Sequence, residues 1–224
     1  MRKISKVCCY STKYYTWLQR LGNGNHREYK ASFKYYWDVV MNLFYCQEGL
    51  CAYTEKKLCP KHFYAADKWE NGKYRRKNYY PKKPKVKGEL EHFEPVLKTN
   101  QGWLWSNLFM VDSDINSKGK GMIEIDPMLK PDTPDYDEFA LYEYDLDKNI
   151  FTAKTNLSKA KKDKINPVLD AILNFDSVVE DRRLFFAPRL KLLEFGKNWN
   201  DIPVEEFPTA FELVKRQLLG SGTT

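Results

Sequence analysis

Cysteine, histidine and long apolar runs are all scarce in this chain. Five cysteines among 224 residues make an odd set. Their positions follow no spacing of a secreted disulfide framework, which excludes a stapled mini-domain and suits a reducing compartment. No apolar stretch is long enough to cross a bilayer. The charged start Met1-Arg2-Lys3-Ile4-Ser5-Lys6 leads into no hydrophobic signal segment. The expectation is a cytoplasmic protein with no membrane contact. Internal repeats are lacking too, and so is low complexity outside one basic stretch.

What is present points to a folded chain. Hydrophobic residues make up 42% and charged residues 30%, a balance that a globular protein shows and a disordered one does not. The length suffices for a proper core in a single domain or one domain with an appendage. A net charge of +7 favours an anionic partner.

The informative stretch runs from 88 to 121, GELEHFEPVLKTNQGWLWSNLFMVDSDINSKGKG. It reads as strand, loop, strand, helix. His92, beside Glu91 and followed by Phe93-Glu94-Pro95, ends a short extended run. Asn107 stands in Trp105-Ser106-Asn107-Leu108, and Asn116 follows an apolar run and two aspartates on the first turn of a helix. One imidazole, one carboxylate and one amide oxygen around a common point would suit metal-assisted cleavage of a phosphodiester.

These residues resemble the HNH endonuclease family, whose ββα-metal motif spells His, Asn, then His or Asn at similar gaps. His92, Asn107 and Asn116 match it as an H-N-N variant over about thirty residues. Gln47 to Glu55, QEGLCAYTE, resembles the lead-in of HNH nucleases of the Septu anti-phage type. The resemblance implies that Glu91 and Asn116 bind magnesium or manganese, hard ions that take oxygen ligands and keep several waters. It implies that His92 is the general base and that Asn107, grouped with the catalytic set, bridges backbone groups and holds His92 in line. Lys118 is a candidate for phosphate contact. Asp112 and Asp114 read as helix caps before alternative ligands. Strand alternation sends Glu91 and His92 to opposite faces, so the resemblance requires the strand to bend where it enters the loop.

Cys46, Cys51, Cys59 and His62 offer four ligand types for a structural zinc. Thr54 stands where a second knuckle thiolate belongs, however, and 112–116 contains no cysteine, so buried free thiols are the preferred reading. His26 and His62 read as satisfied or surface residues.

Residues 67–88 are strongly basic and interleaved with Trp69, Tyr74, Tyr79 and Tyr80. Arg75, Arg76, Lys77, Lys82, Lys83, Lys85 and Lys87 are candidate DNA contacts, through displacement of phosphate counterions and stacking on bases.

The organisation expected is α+β: an arm and helix over 1–50, a nuclease core over 51–125, and an acidic loop with an α-rich region over 126–220. The arm to residue 25 reads as irregular, and a helix is expected from about 27 to 46, ended by Gly49. Short strands are expected over 122–126, 140–144 and 151–154. Helices are expected over 158–181, with Asn166-Pro167 as a cap, over 182–196 with Pro188 at a start or kink, and over 204–219. The implied function is a metal-dependent DNA endonuclease in foreign-DNA defence, beside an ATPase partner or as a homodimer. The alternatives are a self-sufficient type II restriction endonuclease and an inert nucleic-acid-binding module. An RNA-cleaving toxin also fits the residues.

Overall fold

The computed structural model describes residues 1–6, 10–22, 24–26, 29–75, 86–121 and 123–220. The fold is α+β: among these residues, three separate antiparallel hairpins lie among helices. No described helix is long and apolar enough to cross a membrane.

The N-terminal arm contains a helix, α1 (Thr12–Leu21), where an irregular segment was expected. Tyr14, Trp17, Leu18 and Leu21 recur at three- and four-residue steps, a period that the turn-rich residues after them obscure. Tyr14 is buried and its hydroxyl donates to the Trp103 carbonyl at 2.6 Å. Helix α2 is shorter than expected, spanning Tyr36–Cys46. Ahead of it the Phe33 N–H bonds to Lys30 and the Tyr36 N–H to Phe33, so two successive turns replace the first helical turns. The helix closes through Gly49, whose N–H reaches the Phe44 carbonyl at 2.8 Å. At φ +76°, with a Cβ that would lie 2.1 Å from the Cys59 carbonyl oxygen, only glycine fits there.

A one-turn helix, α3 (Lys61–Tyr64), leads to a small hairpin of β1 (Trp69–Glu70) and β2 (Lys73–Tyr74). The turn between them is Asn71-Gly72, both at positive φ, the dipeptide such a tight hairpin demands. The central hairpin pairs β3 (Glu89–His92) with β4 (Leu108–Val111), in the register Glu89 to Val111 through His92 to Leu108. A short helix α4 (Lys98–Gln101) lies in the loop, and a six-residue π-helix (Ile115–Lys120) follows β4. Beyond a one-turn α5 (Glu138–Leu141), β5 (Tyr142–Asp145) pairs with β6 (Ile150–Ala153). Residues 123–126 form no strand, and Met122 lies outside the described residues.

The C-terminal helices divide differently from expectation. Helix α6 (Lys159–Val168) is capped by Ser158, not by Asn166, and Pro167 sits inside it. Proline removes one rung of the ladder, and the backbone widens into a π segment, Leu169–Leu173. The break then comes at Asn174, whose side chain turns to the backbone of Phe151, accepting from its N–H and donating to its carbonyl at 2.8 Å each. Helix α7 (Asp176–Glu194) runs through Pro188, and α8 (Pro208–Gly220) ends the description.

One connected set of buried apolar residues extends from Met1 to Val214. Lys6 fastens the arm to the start of β4, donating to the Leu108 carbonyl at 2.7 Å and pairing with Asp132 at 3.0 Å. Burial draws its ammonium down to about 8. Glu55, at φ +65°, ties distant segments together. Its carboxylate accepts from the Thr209 N–H at 2.8 Å in the first turn of α8, and its carbonyl accepts from the Phe207 N–H at 3.1 Å.

Candidate functional site

The site is built on β3, β4 and the π-helix. Strand alternation puts Glu89 and Glu91 on one face of β3. The helix after β4 lies against them: Asn116 Nδ2 donates to Glu89 Oε2 at 3.1 Å, and Lys120 Nζ is paired with Glu91 Oε1. Asn116 and Lys120 are four residues apart, neighbours on one helical face. The helix is held there by Gly119, where a Cβ would stand 2.5 Å from the Ala171 carbonyl oxygen of the π segment after α6.

His92 is 3% exposed. It still pairs with Leu108, so the bend follows it, at Phe93, whose N–H bonds to the Asn107 carbonyl at 2.9 Å. The imidazole Nε2 lies 2.8 Å from the Gly102 carbonyl oxygen. A carbonyl only accepts, so Nε2 carries the proton and Nδ1 keeps the lone pair. Tyr29 stands edge-on to the ring at 4.9 Å between centroids, with its hydroxyl 3.3 Å from the Leu90 carbonyl. Asn107 holds the loop next to His92: its Oδ1 accepts from the Glu94 N–H at 2.8 Å and its Nδ2 donates to the Glu94 carbonyl at 3.0 Å.

The electrostatics follow from burial. Desolvation pushes the His92 imidazole below its usual range. The Gly102 carbonyl acts in the opposite direction, and the nearby charges of Lys98 and Lys120 add to the lowering. Desolvation also lifts the Glu91 carboxyl, against the downward pull of Lys120. Lys98 is exposed, with its ammonium 5.3 Å from the centre of the Tyr29 ring.

Glu91 and Asn116 therefore face the same strand–helix junction but have different partners, while His92 leaves the strand on the other side. Lys118 points outward and pairs with Asp114 at 2.9 Å. Asp112 Oδ1 accepts from the Asp114 N–H at 2.9 Å, at the entry to the helix. Sequence reading overlooked Glu89, Lys120, Lys98 and Tyr29. Two of these carried a signal: Glu89 lies two residues before Glu91 on a strand, and Lys120 four residues after Asn116 on a helix. Tyr29 and Lys98 reach the site through tertiary packing and carried none.

The four zinc candidates are dispersed in their contacts. Cys51 Sγ accepts from the Asp112 N–H at 3.3 Å and the Thr54 N–H at 3.5 Å. Cys59 Sγ donates to the Pro60 carbonyl at 3.7 Å, Cys46 is half-buried, and His62 is exposed with its ring 4.1 Å from Phe63. Among the described residues, no three His, Cys, Asp or Glu side chains are grouped so as to hold a metal ion. His26 is satisfied internally, its Nδ1 accepting from the Trp103 N–H at 3.1 Å.

Of the candidate DNA contacts, Arg76, Lys77, Lys82, Lys83 and Lys85 lie outside the described residues, as do Tyr79 and Tyr80. Arg75 pairs with Glu70 at 2.6 Å, and Lys87 is exposed, its N–H bonded to the Leu58 carbonyl. Trp69 and Tyr74 pack on the core instead of facing solvent as a stacking platform. No protein-family model matches this chain, and no curated protein matches it.

Proposed function

We propose that this chain is a divalent-metal-dependent endonuclease that hydrolyses DNA phosphodiesters on a ββα-metal core. The observation that carries the reading is the junction itself: Glu89 and Glu91 of β3 meet Asn116 and Lys120 of the helix after β4. Two carboxylates and an amide form an oxygen-rich donor set, which suits magnesium or manganese. With Asn116 Nδ2 spent on Glu89, its Oδ1 is the atom left for a cation, and Glu91 and Asn116 would hold the ion. When bound, it supplies charge stabilisation at the phosphate and the departing alkoxide. His92 is the general base that the resemblance implies, with Nδ1 as the accepting atom because Nε2 is committed to Gly102. Since it leaves β3 on the side opposite Glu91, the step requires the ring to turn toward the junction. Its lowered pKa keeps it neutral, and so able to accept, at physiological pH. Lys98 and the basic residues around 75–87 draw in the polyanion, in keeping with the net charge of +7. By its resemblance to Septu-type nucleases, the setting is defence against foreign DNA, with an ATPase partner or a second copy of the chain.

A second reading, a nucleic-acid-binding module of the same fold without activity, is favoured by two observations. His92 is 3% exposed, and Glu91 is already held by an ammonium. Plasmid incubation with magnesium or manganese, beside EDTA and His92→Ala controls, separates the two. Metal-dependent nicking that disappears in His92→Ala supports the nuclease. Cleavage that survives His92→Ala rejects the mechanism. Salt-sensitive DNA binding without cleavage, also when a candidate ATPase is added, selects the binding module.

A further inference from the structure

The most confined charge at the junction is Lys120. Its side chain is fully buried, against 11% exposure for the Glu91 side chain. Two of its three N–H donors are spent on Glu91 Oε1 and on the His92 carbonyl at 3.1 Å. The backbone beside it lies close against the π segment after α6: a Cβ on Gly119 would stand 2.5 Å from the Ala171 carbonyl oxygen. The lysine side chain, four methylenes long, is long enough to release Glu91 by swinging away from it.

A divalent ion reaching Glu91 meets a carboxylate whose charge is already balanced. Two cations within a few ångströms of each other repel strongly where water is sparse. We propose that Lys120 is the resident counter-ion of Glu91 and exchanges with the divalent metal, so that metal entry frees its ammonium for the anionic phosphate of the substrate. The two events are one coupled step: the metal takes the carboxylate and the lysine takes the phosphate, with no bond made or broken in the chain. The inference rests on Glu91 as a cation ligand, the assignment made above. It adds that the metal-free protein holds its own site closed with a side chain, and that DNA favours metal binding by giving Lys120 somewhere to go. By the reciprocity of linked equilibria, metal must favour DNA binding to the same degree.

The test is manganese titration by calorimetry of the wild type, Lys120→Met, Lys120→Arg and Glu91→Gln. Removing the competing cation should tighten manganese binding by about tenfold, within the usual range of coupling between two ligands. Lys120→Arg, which retains the charge, should not tighten it, and Glu91→Gln should abolish the heat of binding. Equal or weaker binding by a folded Lys120→Met protein overturns the proposal, as does the absence of manganese binding in both. Should Lys120→Met fail to fold, the wild type decides the matter: with ¹⁵N-labelled lysine, the Lys120 Nζ resonance should shift at saturating magnesium. An unchanged resonance overturns the exchange. DNA cleavage by the same samples is scored apart, since tight metal binding without cleavage would remove the nuclease and leave the exchange standing.

Discussion

At the scale of single residues, burial sets the chemistry of His92. Desolvation holds the imidazoles of His92 and His26 below their ordinary value near 6.5, so each binds its proton less readily in the folded chain than in the unfolded one. Above that ordinary value both states are neutral and folding loses nothing. As the pH falls from about 6.5 toward the folded values, the unfolded state takes up protons first, and stability is lost. Urea denaturation at pH 7.5 and pH 5.5 should therefore show a smaller drop for His92→Gln than for the wild type; equal drops would mean the imidazole is not desolvated. The tautomer was not legible in the sequence, because it depends on Gly102, ten residues away across a loop. That His92 ends a strand and Asn116 stands in the first turn of a helix was legible from the residues around them. That His92 parts from Glu91 and Asn116 was not, because the expected bend comes only after it.

At the scale of elements, the short π-helix decides whether Asn116 and Lys120 reach β3. Its position depends on Gly119, where a methyl group would collide with the Ala171 carbonyl at 2.5 Å. Gly119→Ala should push the helix off the π segment after α6, cost about 1–3 kcal/mol as overpacking does, and change manganese binding, because the ligand Asn116 and the competitor Lys120 move together. Thermal melts and the same calorimetry check both effects, and a variant as stable as the wild type would show that the contact is slack. The β3–β4 and β5–β6 hairpins were foreseeable from short apolar runs bounded by turns. The helix boundaries were not. Asn166-Pro167 reads as a cap in the sequence, yet Ser158 provides it, and the helix ends at Asn174, whose amide is taken up by the backbone of Phe151. Helix α1 went unrecognised because its aromatic period is short and runs into a Gly-Asn turn.

Over the whole molecule, the buried set from Met1 to Val214 depends on a few polar ties between segments far apart in sequence. Glu55 is the most consequential: it is 2% exposed, its Oε2 accepts from the first turn of α8 at the positive end of that helix, and its Oε1 faces the buried Met1 ammonium at 3.5 Å. Glu55→Ala should cost about 3–5 kcal/mol, the scale for removing one partner from a buried charged contact. Loss in a single denaturation step, followed by fluorescence and circular dichroism together, is expected; separate loss of α8 would show that the C-terminal helix folds on its own. Each of the three hairpins is only two strands wide, and two-stranded ribbons leave rows of unpaired amides that attract other extended chains. Asn174 takes both outward groups of Phe151 in the middle of β6 and so imitates one rung of a third strand. The π segment and α6 lie against that strand, so Asn174→Ala would leave a buried N–H and carbonyl of Phe151 without partners, at a cost of about 1–3 kcal/mol that thermal melts should show.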